Sequence, residues 1–393
     1  MKSYVSSDQL VICLEGRLDS EHSADAGDFI RQTVQEHPGL PVCLDADSLE
    51  YISSSGLRIL LGLRQKLTVP IVLKNASPEV YHTLELTGFT SLMDVRRKLR
   101  EVSLEGCRII GRGAFRTVYR LDGDTVVKVF RGGEETLPRI AAEQEQARDA
   151  FLRGVPTAIP FDTVKTCEGY GAIFELVDAQ SLGDLAAADP DSIPELARQY
   201  ADFLHSIHAL TAGPGELPDA RERFLDFLTC VSPALDEKTQ EKARALLRAM
   251  PEDLHLLHGD AHWKNVMASK GTLMVIDMDT LCVGDPVFEF AGLYMTYAAF
   301  EEDDPGNTML FHGIDAETAR SIFYSALKNY LGDPGEDALR AAEDRIRVPG
   351  LLIYLYNLIS LGLDKENKRI PRAAERMKAA VCMTDSLVLR EAD

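Results

Sequence analysis

Two different rhythms run through this chain, and they change over at the charged, glycine-ended stretch Arg96–Gly106. Before it, short apolar runs alternate with helical patterns. Leu10–Glu15, Pro41–Leu44 and Val69–Leu73 read as strands. Ala24–Val34, Ser53–Gln65 and Pro78–Leu86 read as helices, the last closed by Gly88. Strands spaced by helices predict a small α/β unit. After the changeover the strands cluster: Cys107–Ile110, Phe115–Leu121 and Thr125–Phe130, with Asp122-Gly123 as a hairpin turn between the last two. A helix over Ile140–Leu152 and a strand over Tyr170–Val177 follow. The rest is mostly helical: Ile193–Leu210, Thr239–Met250, Ala316–Tyr330, Asp337–Leu363 interrupted by Pro349, and Ala373–Leu389. A chain of 393 residues with both rhythms is longer than one domain. It predicts an α/β domain over 1–100 and a two-lobed α+β domain over 107–393. In the latter a small antiparallel-sheet lobe spans about 107–177 and a large helical lobe about 178–393.

Composition narrows the function classes. Hydrophobic residues make up 45% and charged residues 26%, the mix of a globular protein. The most apolar stretch, Leu351–Leu363, contains Asn357 and Ser360 and is too short and polar to span a bilayer. The opening MKSYVSSDQL has no apolar signal-peptide core. The cysteine count is odd, 7, with no CxxC or Cys/His cluster. Together these predict a cytoplasmic protein with no membrane partner and reduced, mostly core thiols. Net charge is −20, and residues 1–100 hold 11 basic against 13 acidic side chains. The acidity therefore lies almost wholly in the remainder, which argues against nucleic-acid binding. A solvated acidic surface and a cationic acceptor both fit it.

Four signals in one order point to phosphate chemistry. Gly111-Arg112-Gly113 opens a strand–glycine–strand segment through Tyr119, where backbone N–H groups can approach phosphate oxygens. Lys128 sits inside the apolar run Thr125–Phe130, a costly position for an ammonium without an anionic partner. Glu143 and Glu145 follow on a helix, and either can hold Lys128 by a charge-assisted bond. Last comes His258-Gly259-Asp260-Ala261-His262-Trp263-Lys264-Asn265, then Ile276-Asp277-Met278-Asp279. Asp260, in a loop after apolar residues, can orient or deprotonate an attacking hydroxyl. Asn265 and Asp277 offer the oxygen ligands that Mg²⁺ prefers, and a short strand ending near Ile276 would present Asp277.

With these residues the segment 107–393 resembles the aminoglycoside phosphotransferase and choline kinase family, which has a protein-kinase-like fold. HGDxxxxN matches His258–Asn265 and IDxD matches Ile276–Asp279. The resemblance implies ATP and Mg²⁺ as cofactors and a small-molecule hydroxyl as acceptor. It implies Asp260 as catalytic base, Asn265 and Asp277 as metal ligands, and Lys128 as the α/β-phosphate contact. Spacing to Gly154-Val155-Pro156 favours Glu143 as the helix acid. Phe174–Val177 matches the interlobe hinge, so Glu175 and Val177 are expected beside the adenine, with Gly111 and Gly113 over the phosphates. Asp279 stands where the family carries a second acid for metal or substrate. Arg116 replaces the third loop glycine of protein kinases, and no DFG or APE pattern follows, which weakens a Ser/Thr protein kinase as an alternative. A nucleotide-sensing, non-enzymatic partner switch is a further alternative.

Leu44–Leu57, with Ser53-Ser54-Ser55-Gly56 at its end, resembles the STAS family of bacterial anti-sigma-factor antagonists. Gly56 anchors the match and puts Ser54 at the position the family phosphorylates. Ser54 is therefore expected either to cap a helix or to be modified. The resemblance implies a regulatory module able to bind a protein partner, joined by about ten residues to the second domain. Other features carry bland expectations. His205 and His208 are structural. His262 and Trp263 either touch the acceptor or pack. Glu301–Asp304 forms a solvated loop.

Overall fold

The structure, a computed structural model, describes all residues except 7, 114–115, 270, 365–367 and 391–393. Ala114 and Phe115, part of the expected glycine loop and strand, lie outside the described residues. The chain forms two compact units. One comprises Met1–Ser103 with Thr163–Cys167, the other Leu104–Asp162 with Glu168–Asp393.

The first unit runs β1 (Lys2–Ser6), β2 (Gln9–Leu18), α1 (Ser23–Glu36), β3 (Val42–Ile52), α2 (Ser54–Lys66), β4 (Ile71–Ala76), α3 (Pro78–Leu86), β5 (Asp94–Arg97) and the two-residue β6 (Arg100–Glu101). Strands β1 to β5 form one sheet in sequence order. Strand β1 is antiparallel to β2, and β2 through β5 are parallel. The core joins Leu10, Ile12 and Leu14 to Leu44, Leu60 and Leu73, none of them exposed. Strand β1 escapes sequence reading because all five of its residues are exposed and no apolar alternation marks it. Strand β5 runs into the start of the stretch expected to be a boundary, sharing Arg96 and Arg97 with it.

The N-cap of α2 is Ser53, not Ser54. The Ser53 hydroxyl accepts the Ser55 N–H at 3.2 Å and donates to Leu18 O at 3.0 Å. Gly56 follows because a Cβ there would lie 2.6 Å from that same Leu18 O.

The second unit begins with the antiparallel strands β7 (Arg108–Arg112), β8 (Arg116–Arg120) and β9 (Thr125–Phe130), then α4 (Leu137–Leu152); β10 (Pro160–Thr166), whose last four residues belong to the first unit, and β11 (Gly169–Glu175) follow. Strands β7, β8, β9 and β11 are neighbours in that order. The chain then enters the helical lobe through β12 (Gln180–Ser181). Helices α5 (Leu182–Ala188), α6 (Ile193–His208), α7 (Ala220–Val231) and α8 (Glu237–Arg248) lead to β13 (Leu256–Leu257). The hairpin β14 (Val266–Ser269) and β15 (Thr272–Val275), then β16 (Cys282–Val283), carry the chemistry-bearing loops. Helices α9 (Val287–Tyr294), α10 (Phe300–Asp303), α11 (Asn307–His312), α12 (Ala316–Tyr330), α13 (Glu336–Ser360) and α14 (Arg369–Met383) complete the lobe. One core extends from Val126 and Phe174 of the strand lobe to Leu355 and Val381 of the last helices.

Three expectations are corrected here. Pro349 does not interrupt α13, which runs unbroken for 25 residues. Val348, Leu351 and Leu352 are buried beside it, and that packing outweighs the missing backbone bond. The C-terminal helix stops at Met383 rather than Leu389. Leu387 and Leu389 are buried core anchors on non-helical chain, where the Asp285 carboxylate accepts the Leu389 and Arg390 N–H groups. The thiols are not mostly core: Cys43 and Cys282 are buried, but Cys167, Cys230 and Cys382 are exposed. Among the described residues no helix is long and apolar enough to cross a membrane.

Candidate active site

The β14–β15 hairpin fixes the two polar motifs against each other. Asn265 precedes β14 directly, and Asp277 follows β15 by two residues. The Ile276 N–H donates to Asn265 O at 2.9 Å, and Asn265 Nδ2 donates to Asp260 O at 2.9 Å and to Asp260 Oδ2 at 3.4 Å. His258 braces the same loop, donating from Nε2 to Ile276 O at 3.0 Å while Nδ1 accepts the Asp260 N–H at 3.2 Å. Because Ile276 O can only accept, Nε2 is the donating nitrogen. Gly259 has φ +83°, and a Cβ would meet Thr280 O at 2.6 Å, so the motif needs glycine there.

Glu289 of α9 is fully buried under this loop. Its carboxylate accepts the N–H of Gly259 and of Ala261, each at 3.1 Å. Burial opposes its charge, but the His208 imidazole, with Nε2 3.6 Å from the carboxylate, His258 and the Gly259 N–H bring it down to about 2. Sequence reading passed over Glu289, yet a signal existed. It is the one acid in the otherwise apolar run Val287–Leu293, where an unpaired charge is costly.

On the strand lobe Lys128 is 9% exposed. Its Nζ donates to Glu143 Oε1 at 2.8 Å and to Asp277 Oδ1. Phe174 lies under the ammonium, 4.5 Å from ring centroid to Nζ. Burial works against the charge, but Asp277 and Glu143 more than offset it and raise the Lys128 pKa. Glu143 is 1% exposed, whereas Glu145 is exposed on the outer side of α4. Asp277 sits in the left-handed region at φ +65°. Burial disfavours its ionised form, yet Lys128 and Arg116 hold it well below the usual carboxylate range.

Asp260 behaves oppositely. Its side chain keeps 38% of its surface accessible. Burial pushes it up to about 7, opposed by His258 and reinforced by Asp279 and Asp277. The two acids are thus split in character by environment.

Gly111, Gly113, Lys128, Glu175, Val177, Asn265 and Asp277 line one cavity of about 610 Å³. The Val177 N–H makes no hydrogen bond with any described residue, so a donor is free at the hinge. His262 also lines the cavity, whereas Trp263 is fully buried and packs against Tyr200. Asp279, 31% exposed, lies 3.5 Å from the Arg116 guanidinium. Arg116 is the second residue that sequence reading left without a role: it also pairs with Asp277 at 2.7 Å and Glu143 at 3.3 Å. Ser54 belongs to the first unit and is exposed in the first turn of α2.

His208 is buried with Nδ1 2.9 Å from Tyr330 Oη, and His205 stacks on the Tyr330 ring at 4.2 Å. The Glu301–Asp304 run is not a solvated loop. Glu301 accepts the Gly306 and Thr308 N–H groups, Glu302 and Asp303 pair with Arg376, and Asp304 pairs with Arg369.

A strand lobe presenting a paired lysine to a helical lobe that carries an HGD loop is the two-lobed, protein-kinase-like arrangement. A family model described as the phosphotransferase enzyme family matches residues 106–322. The chain belongs to that family. A model described as the STAS domain matches residues 1–102. No curated protein matches the sequence. Among solved structures, the chain is similar to a thermostable mutant of aminoglycoside phosphotransferase APH(4)-Ia in ternary complex with ADP and hygromycin B. Identity is 16%, covering 70% of this chain and 93% of that one, with a TM-score of 0.47. A gentamicin–APH(2")-IIa complex gives 17% identity, 72% and 92% coverage and a TM-score of 0.45. A choline/ethanolamine kinase family protein from Mesorhizobium loti gives 16%, 71% and 88%, and 0.44.

Proposed function

We propose that this chain transfers the γ-phosphoryl group of ATP, with Mg²⁺, to a hydroxyl of a small molecule. The observation that carries this reading is the meeting of Asp260, Asn265 and Asp277 in one hydrogen-bonded loop pair, with Lys128 ion-paired to Asp277 across the cleft. Asn265 and Asp277 fit a hard cation. The Asn265 amide uses its N–H on Asp260, which leaves its oxygen as a neutral ligand, and Asp277 is held ionised. Bound there, Mg²⁺ would neutralise charge on the transferring phosphoryl oxygens. Lys128, fixed by Glu143, positions the α/β-phosphates, and the free Val177 N–H suits adenine. Asp260, pushed up to about 7, sits where it can orient the acceptor hydroxyl and take its proton as the new P–O bond forms. Catalysis of this kind is positioning and charge neutralisation.

We assign residues 1–102 a regulatory or partner-binding role. Ser54 supports it as an exposed hydroxyl in the first turn of α2, where an added phosphate would meet unpaired N–H groups. Mass spectrometry of the Ser54 peptide after incubation with MgATP tests modification by the chain itself.

Asp260→Ala tests the main reading. With a panel of hydroxyl acceptors, ADP formation should fall by about 10³-fold or more while nucleotide affinity stays within about threefold. Equal turnover in that variant would remove Asp260 from the mechanism.

A further inference from the structure

Both carboxylate oxygens of Asp277 are already taken by cations of the chain itself. Lys128 holds Oδ1, and the Arg116 guanidinium holds Oδ2 at 2.7 Å. Arg116 reaches further than Lys128. Its Nη1 lies 3.3 Å from Glu143 Oε2 and 3.5 Å from Asp279 Oδ2, and its side chain is only 17% exposed. One guanidinium therefore ties an acid of the strand lobe to two acids of the helical lobe. Without it, three carboxylates would face a single ammonium, an excess of negative charge that attracts a divalent cation.

The position of Arg116 matters as much as its contacts. It starts β8 at the edge of the glycine loop, and its backbone carbonyl accepts the Gly113 N–H at 2.8 Å. A guanidinium released from the acids stays tethered beside Gly111 and Gly113, which line the cleft. Planar bidentate pairing suits arginine to carboxylate and phosphate alike.

Resting on the phosphotransfer reading above, we propose that Arg116 is a positioning residue that occupies the cation site until metal-bound nucleotide enters. It then exchanges its carboxylate partners for the nucleotide's phosphate oxygens. The divalent ion and Arg116 compete for Asp277, whereas the nucleotide phosphates and Arg116 bind together. Metal alone is thus disfavoured, and metal with nucleotide is favoured.

The test uses the full chain, Arg116→Ala and Arg116→Lys. Free Mn²⁺ is followed by electron paramagnetic resonance without nucleotide, and MgATP binding by calorimetry. Expected is Mn²⁺ affinity raised about tenfold in Arg116→Ala, MgATP affinity lowered about tenfold, and Arg116→Lys between the two extremes. A purely structural role would weaken both ligands together, and that result overturns the proposal. So does an unchanged Mn²⁺ affinity, whether both proteins bind the ion or neither does. If Mn²⁺ discriminates as expected but MgATP binds to no form, occupancy of the cation site by Arg116 stands and phosphotransfer from ATP falls. If MgATP binds wild type and Arg116→Ala equally and Mn²⁺ affinity is unchanged, phosphotransfer stands and the role of Arg116 falls.

Discussion

Glu289 shows how much one side chain can carry. Its carboxylate fixes the Gly259 and Ala261 amides on either side of Asp260, so the loop's backbone shape depends on a residue 29 positions away in sequence. Glu289→Leu leaves both amides buried without an acceptor and should cost roughly 3–5 kcal/mol in urea unfolding. Glu289→Gln retains one acceptor oxygen and should cost less. The ionisation has a pH signature. Because the folded-state value, about 2, lies below the unfolded one, the stabilisation is complete above about pH 4.5 and is lost as pH falls toward 2. His262 and His312 act in an earlier window. Burial first, then neighbouring cations, lower both to about 4. The unfolded chain takes up their protons more readily, so stability should decline as pH falls from about 6.5 to 4. Thermal unfolding across that range checks it, and His312→Asn should flatten part of the slope. At this scale the sequence revealed groups whose chemistry is costly where they stand, such as Lys128 in an apolar strand. It did not reveal the guanidinium of Arg116, which registers in the sequence only as a missing glycine.

Among elements, those with strong internal patterning were readable to the residue. Thr125–Phe130, Pro78–Leu86 and Ala316–Tyr330 begin and end where their apolar spacing and terminal residues indicate. Elements that depend on partners were not. Strand β1 has no buried residue, β5 has none either, and α9 is buried on every side, so none shows a one-sided stripe. Helix α2 offers a paired test of what its glycines do. Gly56→Ala puts a methyl 2.6 Å from a backbone oxygen that cannot turn aside, and should destabilise the first unit by roughly 2–3 kcal/mol. Gly62 has open space at the same atom, so Gly62→Ala should stabilise by roughly 0.5–1 kcal/mol through helix propensity alone. Urea midpoints that move in opposite directions check the pair.

Across the whole molecule, a net charge of −20 reads as a uniformly solvated acidic surface only while acids are counted without their partners. Asp303 is 6% exposed and relies on Arg376, which also reaches Glu302 and the Ala299 carbonyl. Arg376→Ala should cost roughly 3 kcal/mol, measured by calorimetry, because it strands a buried carboxylate. An exposed pair such as Arg198–Glu195 should contribute less than about 1 kcal/mol. The fold class was legible because the change of rhythm near residue 100 separates two cores. Part of the polar wiring was less legible because it joins residues far apart in sequence, 149 positions for Lys128 and Asp277 and 73 for Arg376 and Asp303.

The hydrogen bond from the Ile276 N–H to the Asn265 carbonyl has a kinetic consequence. That backbone clasp continues the β14–β15 hairpin and couples the stretch that ends at Asn265 to the stretch that leads into Asp277, so the two must breathe in unison. Deuterium uptake at Ile276 should therefore be slow.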